Sequence, residues 1–217
     1  MLLYLVRHGE TDWNLQRRIQ GSTDVPLNDT GRAQAKRTGE LLASRAWDAV
    51  VASPLTRAFD TASIIAAEVG LPTPTTDARL VERAYGAAEG LEISEVDRRY
   101  PGETHVPGRE SREDVAARAL GALIEIGEAN PGKSMIVVTH GGLIRSVLHA
   151  VDPRIRHPAI TNGSVHSFRH DNGTVSLIRF DDPVERESVA PEADSIEEQN
   201  RIEGREAAKD ESTQEAR

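Results

Sequence analysis

The chain contains no cysteine in its 217 residues. That absence excludes disulfides, thiolate metal ligands and a cysteine nucleophile, and it points toward a reducing compartment. Aromatic residues make up only 4% of the chain, so any aromatic side chain near a site must be weighed against a place in the core. Long apolar runs are missing too: none approaches the ~20 residues of a membrane span. The opening Met1-Leu2-Leu3-Tyr4-Leu5-Val6 lacks the basic leader and small-residue cleavage site of a secretory signal. An excess of positive charge is likewise absent, since 26 Lys and Arg face 35 Asp and Glu for a net charge of −9. That balance argues against a general nucleic-acid or membrane-surface binder, while leaving room for a local basic pocket. No GxGxxG, P-loop or HExxH pattern occurs, and no internal repeat. The expectation is a cytoplasmic protein with no metal, no cofactor, no nucleic-acid partner and no membrane partner.

What is present suits one good-sized domain with an appendage. From Asp182 onward apolar residues are sparse and acidic residues outnumber basic ones, a composition that cannot offset the entropy of ordering. Residues 1–181 therefore read as one folded catalytic domain and 182–217 as an acidic, flexible tail. A docking helix over "SIEEQNRIEGREAAK" is the competing reading of that tail.

Before it, continuous apolar runs "LLYLV", "DAVVAS" and "SMIVVTH" match parallel strands covered on both faces. "GRAQAKRTGELLASR", "LTRAFDTASIIAAEVG" and "SREDVAARALGALIEIGEAN" place apolar residues at helical intervals. The last opens on Ser111, a candidate N-cap, and stops at Asn130-Pro131-Gly132. "SVHSFRHDNGTVSLIRF" predicts two strands around a type I′ turn at Asn172-Gly173. The expected fold class is α/β: a three-layer α/β/α sandwich with a mostly parallel central sheet and a late antiparallel hairpin.

Ligands of open α/β sheets gather at the carboxyl ends of strands, and three runs deliver chemistry there. One ends on Arg7-His8-Gly9-Glu10, one leads through Ser53 to Arg57, and one ends on His140-Gly141-Gly142. Either histidine alone reads more readily as a structural residue than as a catalyst; together, with two arginines at equivalent strand ends, they favour a site. Arg7 and Arg57 would be costly to bury side by side without an anion. A guanidinium fork matches phosphate oxygens bidentately, and a neutral imidazole near two arginines can act as nucleophile. A second histidine can donate to a phosphoryl oxygen as charge develops on it. The glycine after each histidine lets backbone or ligand approach closely, and Gly9 is expected to give a phosphate room. A proton donor for the leaving alkoxide is not identified by this argument.

In order, "LVRHGETDWN", "RIQGSTDVPLNDTGRAQA", "VVASPLTRAFDTA", "RLVERAYGAAEG" and "VVTHGGLIR" resemble the histidine phosphatase superfamily, in its phosphoglycerate-mutase-like branch. The resemblance spans residues 1 to about 180. It implies that His8 becomes phosphohistidine and that Arg7, Arg57 and His140 bind the phosphoryl group. It places Glu82 as general acid and base, with a raised pKa that serves both half-reactions. It also implies that Asn14, Gln20 and Gly21 line the phosphate or substrate pocket. From the residues themselves, Gly141, the glycine after His140, and the aromatic Tyr85 are further candidate substrate-binding positions.

Two departures from the family's mutases favour a phosphatase. The interval from Arg83 to Thr139 is short, and glycine rather than asparagine follows His140-Gly141. The expected partner is a small phosphorylated metabolite. The segment "LEISEVDRRYPGETHVPGRESRED" is expected to cover the pocket, with Arg98, Arg99, Arg109 and Arg112 forming a basic rim for a second anionic group. Tyr85 and Trp13 pack either on substrate or in the core. His105, His149, His157, His166 and His170 have no such company. Mutase-type phosphoryl transfer and a catalytically silent phosphate-sensing or protein-binding module are the competing readings, and a homodimer is an open assembly.

Overall fold

A computed structural model describes residues 1–182 apart from 103, 155 and 156. The acidic tail expected from residue 182 onward lies, after Asp182, outside the described residues. Asp182 itself is buried, and its N–H donates to the Val165 carbonyl at 3.0 Å.

Six strands form one mixed sheet in the order β3-β2-β4-β1-β5-β6. They are β1 (Leu2–Arg7), β2 (Ala49–Ala52), β3 (Thr75–Thr76), β4 (Ser134–Thr139), β5 (Val165–Asp171) and β6 (Thr174–Arg179). Strands β1 to β4 pair in parallel, and β5 and β6 add antiparallel at the β1 edge. The sheet is thus parallel over four strands, with the late hairpin as predicted. Asn172 and Gly173 take positive φ at its turn, 47° and 74°, as a type I′ turn requires.

Why the apolar runs are continuous is visible in β1 and β4. Leu3, Leu5, Met135 and Val137 face one layer, packed with α5 (Arg112–Ala129) and α6 (Gly141–Val151) through Val115, Leu123, Leu143 and Leu148. Tyr4, Val6, Ile136 and Val138 face the other, packed with α2 (Asp29–Leu42) and α3 (Thr56–Glu68) through Leu42, Ala62 and Ile65. Both faces of each strand are covered, which is the sandwich expected from the sequence. Each fully buried leucine contributes about 1.5–3 kcal/mol relative to exposure.

The three sequence-predicted helices appear as α2, α3 and α5, and two are fixed by caps. The Asn28 side chain accepts the Gly31 N–H ahead of α2, and Ser111 accepts the Asp114 N–H ahead of α5. The short helices α1 (Asp12–Leu15) and α4 (Ile93–Arg99), and α6, were not predicted. Helix α6 begins on two glycines and its N-cap, His140, makes no side-chain cap. Its first N–H groups are satisfied from a distant part of the chain, as described below.

A third, smaller apolar cluster lies apart from the sheet. Ile19, Tyr85, Ala88, Ile93, Val96 and Val106, with Leu91 and Tyr100, close a cap formed mostly by residues between Glu82 and Arg109. Among the described residues no helix is long and apolar enough to cross a membrane.

Candidate active site

Sheet register builds the site. Arg7 pairs with Thr139 across β1 and β4, so the residues that follow, His8 and His140, emerge side by side. The His8 N–H donates to the Thr139 carbonyl at 2.9 Å, and the two imidazole centroids stand 5.1 Å apart at 62°. Both rings are buried.

The hydrogen bond from His8 settles its tautomer. Nδ1 lies 2.7 Å from the Gly9 carbonyl oxygen, which can only accept, so Nδ1 carries the proton and the neutral ring presents Nε2 as a lone pair. Burial holds His8 well below the ordinary imidazole range, and the positive charges of Arg57 and Arg7 push it further the same way. His140 is lowered likewise, by burial first and then by Arg57. Both rings are neutral near pH 7.

The arginines are held by carbonyls. Arg57 is fully buried and donates from Nη1 to Thr23 O at 2.8 Å and from Nη2 to Gly21 O at 2.7 Å, while its Nε has no partner among the described residues. Arg7 donates to the Ile160 carbonyl.

Glu82 is buried at the start of α6. Its carboxylate accepts from the N–H groups of Gly142 at 3.0 Å, Leu143 at 2.9 Å and Arg83 at 2.8 Å. It thereby caps a helix some sixty residues further along the chain. A Cβ at Gly142 would stand 2.8 Å from both Glu82 Oε1 and the Tyr85 hydroxyl, and one at Gly141 would stand 3.3 Å from Arg7 Nε. Glu82, Tyr85 and Arg7 therefore converge on the first turn of α6.

The pocket positions implied by the family resemblance sit around this centre as a supporting network. Asn14 Oδ1 accepts from Thr11 N and Oγ1, each at 3.1 Å. Thr11 Oγ1 also stands 2.9 Å from Gln20 Oε1. Gly21, at φ 56°, presents the carbonyl that receives Arg57; a Cβ there would meet Glu89 Oε1 at 2.2 Å. Glu89 accepts from Ser22, Thr23 and Tyr85, which together outweigh burial and lower its pKa.

Some expectations change. Gly9 does not make room for a phosphate: a Cβ there would lie 2.2 Å from the Gly31 carbonyl oxygen, so the glycine lets the loop abut α2. Arg98 and Arg99, expected at a pocket rim, are exposed and pair with Glu95 about one turn away. Arg109 stands over the Tyr85 ring with its guanidinium carbon 6.0 Å from the centroid, and Arg83 does so at 5.5 Å. Arg112 is buried at the start of α5. Tyr85 is buried in the cap cluster.

Several supporting residues escaped the sequence reading. Asn162 donates to the His8 carbonyl at 2.9 Å, Thr61 accepts the Gly9 N–H at 3.1 Å, and Ser53 Oγ lies 2.8 Å from His140 Nε2. Arg118 pairs with Glu110 at 2.7 Å and donates to the carbonyls of Arg79, Val81 and Glu82, fixing the loop that carries Glu82. The signal for Thr61 was present in the sequence as a hydroxyl one turn after Arg57; the others depend on long-range packing. Among the described residues no group of three or more His, Asp or Glu side chains is arranged to hold a metal ion.

Comparison with known proteins gives a consistent outcome. A family model for the histidine phosphatase superfamily (branch 1) matches residues 3–183. The chain is 43% identical over 161 residues to a protein of Bacillus subtilis (strain 168) named uncharacterized phosphatase PhoE, covering 73% of this chain and 82% of that one. It is 38% identical over 165 residues to 2,3-bisphosphoglycerate-dependent phosphoglycerate mutase 2 of Gloeobacter violaceus, covering 70% and 75%. Among solved structures, a mycobacterial glucosyl-3-phosphoglycerate phosphatase in complex with VO3 superimposes with a TM-score of 0.74 at 30% identity. That match covers 83% of this chain and 98% of the other.

Proposed function

The chain belongs to branch 1 of the histidine phosphatase superfamily and is an enzyme of its phosphatase type, and from that premise we propose that it hydrolyses a small anionic phosphomonoester through a phosphohistidine on His8, without a metal ion. The observation that carries this reading is the His8–Gly9 hydrogen bond, which leaves Nε2 as a free lone pair beside two buried arginines.

In the first half-reaction the Nε2 lone pair of His8 attacks phosphorus as the bond to the leaving oxygen breaks. Arg7, Arg57 and His140 stabilise the three nonbridging oxygens, whose charge grows in the transition state. Glu82, entering in its protonated form, gives its proton to the leaving alkoxide. In the second half-reaction the Glu82 carboxylate takes a proton from water, the resulting oxygen attacks phosphorus, and the N–P bond breaks to release inorganic phosphate and regenerate His8.

The cap supports the reading of an anionic substrate. Arg83 and Arg109 flank Tyr85 and suit a second anionic group such as a carboxylate. Mutase-type transfer is the second reading. Against it stands Gly142, because a larger side chain there would crowd Glu82 and Tyr85.

A panel of phosphomonoesters, scored separately for free phosphate and for transfer to 2- or 3-phosphoglycerate, tests this. Hydrolysis exceeding transfer, unaffected by chelator and accompanied by acid-labile phosphate on His8, is the expected result. Transfer without net hydrolysis would replace the phosphatase reading with the mutase one. Loss of all turnover on rigorous chelation would end the metal-free mechanism.

A further inference from the structure

The two imidazoles of the site are tied down differently, and the difference assigns a role to Ser53. His140 Nε2 lies 2.8 Å from Ser53 Oγ, and Ser53 is fully buried. The same oxygen accepts the Leu55 N–H at 3.3 Å.

Two proton arrangements fit the His140–Ser53 contact. In the first, Nε2–H donates to Oγ. The serine hydroxyl proton then has no acceptor among the described residues, and His140 Nδ1 is a second unsatisfied atom. A buried donor or acceptor left unsatisfied costs about 1–3 kcal/mol. In the second, the Ser53 hydroxyl donates to Nε2 while its oxygen accepts from Leu55, so every group of the serine is used. The neutral ring then carries its proton on Nδ1, and that N–H is the one orphan left. It belongs to a fully buried ring 5.1 Å from His8.

Resting on the assignment of His140 to the phosphoryl site, we propose that Ser53 is a positioning residue that holds His140 as its Nδ1–H tautomer, so that the ring offers a donor rather than a lone pair to a nonbridging phosphoryl oxygen. The opposite tautomer would point a lone pair at an oxygen bearing negative charge, turning stabilisation into repulsion. Both histidines are thus Nδ1–H tautomers presenting opposite edges. In His8 the N–H is consumed by the Gly9 carbonyl and the lone pair is free to attack. In His140 the lone pair is consumed by Ser53 and the N–H is free to donate.

Long-range proton–nitrogen correlation spectra of the full chain, labelled with nitrogen-15 in histidine at neutral pH, read the tautomer directly. Wild-type His140 is expected to show a protonated, pyrrole-type Nδ1 and a pyridine-type Nε2, and inorganic phosphate is expected to move the Nδ1 proton downfield. Ser53→Ala is expected to shift His140 toward the Nε2–H form and to lower kcat on an aryl phosphate by about 10- to 100-fold, with KM changed less than about threefold. A wild-type spectrum showing Nε2–H overturns the proposal. So does a folded Ser53→Ala protein in which tautomer and kcat fail to change together. Should that variant not fold, the wild-type spectrum alone decides. Because the spectrum needs no turnover, a chain with the Nδ1–H tautomer that hydrolyses no phosphomonoester would refute the functional reading separately.

Discussion

The strand-end site and the cap above it are built by different means. Around His8, Arg7, Arg57 and Glu82, almost every polar side chain is held by backbone carbonyls or N–H groups, and two large apolar clusters support the strands beneath. The cap has one small cluster, and its charged side chains mostly pair with one another at the surface, as Arg98 and Arg99 do with Glu95 and Arg18 with Glu92. Backbone partners do not change when a side chain is substituted, whereas surface pairs are worth little and are screened by salt. On the proposed function, the difference would separate phosphoryl chemistry, anchored in the body, from selectivity, carried by a segment whose side chains can be exchanged at small cost.

Several measurements would break or sharpen that contrast. The largest effect is expected at the body's centre: His8→Ala should lower turnover of any phosphomonoester by more than about a thousandfold, with the thermal midpoint changed by only a few degrees. Glu82→Gln should slow poor leaving groups far more than an aryl phosphate. Equal losses for both substrates would remove Glu82 from the proton-transfer role.

Core truncation should separate the regions next. Leu123→Ala, in a fully buried body position, is expected to cost about 2–5 kcal/mol in chemical denaturation. Val96→Ala in the cap should cost about 1–2 kcal/mol and act mainly on KM for the natural class of substrate. If Val96→Ala proved as destabilising as Leu123→Ala, the cap would have to be counted as part of the body.

Acid should attack the body through its buried histidines. His8 and His140 are lowered by burial, and burial lowers His166 to about 3. Below the unfolded value near 6.5 the unfolded chain binds protons that these folded rings refuse. Stability is therefore fully retained above about pH 6.5 and falls as pH drops, by up to about 1.4 kcal/mol per pH unit for each such ring. Denaturation midpoints measured from pH 7 to pH 4, with His166→Phe flattening the slope by one ring's share, would check this; an unchanged slope would contradict it.

The smallest effects belong to the cap surface. Arg109→Ala should raise KM about tenfold for a doubly anionic substrate while leaving an aryl phosphate unaffected. Arg98→Ala should alter stability by less than about 0.5 kcal/mol and neither KM. An Arg98 effect matching that of Arg109 would return Arg98 to the pocket.

Much of the body was legible in the sequence because its signals are local. Doubly buried strands leave unbroken apolar runs, Ser111 marks a helix start, and Asn172-Gly173 marks a hairpin. His8, Arg57 and His140 could be singled out because each follows such a strand, and Glu82 through the family resemblance. The cap was poorly legible: from the sequence alone, four arginines in one segment looked equivalent. Only packing reveals that Arg98 and Arg99 face Glu95 while Arg109 lies against Tyr85. Helix α6 was missed for a related reason, since its N-terminus is completed by Glu82 rather than by a neighbour in the chain. Gly9 misled because a glycine beside a candidate catalytic residue has the same appearance whether a ligand or another backbone needs the space.

The pairing of Arg7 with Thr139 carries a consequence for redesign. The buried apolar side chains on both faces of β1 and β4 fix that register, so the gap between the two imidazoles is set by counting residues along adjacent strands and tolerates exchange of one apolar side chain for another of similar size. Conservative exchanges within β1 and β4 should therefore leave the two imidazoles in place. A one-residue insertion or deletion in either strand would carry one ring past the other and turn alternate side chains onto the opposite face of the sheet. In this domain a change of length is the more dangerous mutation, and a change of identity the more forgiving one.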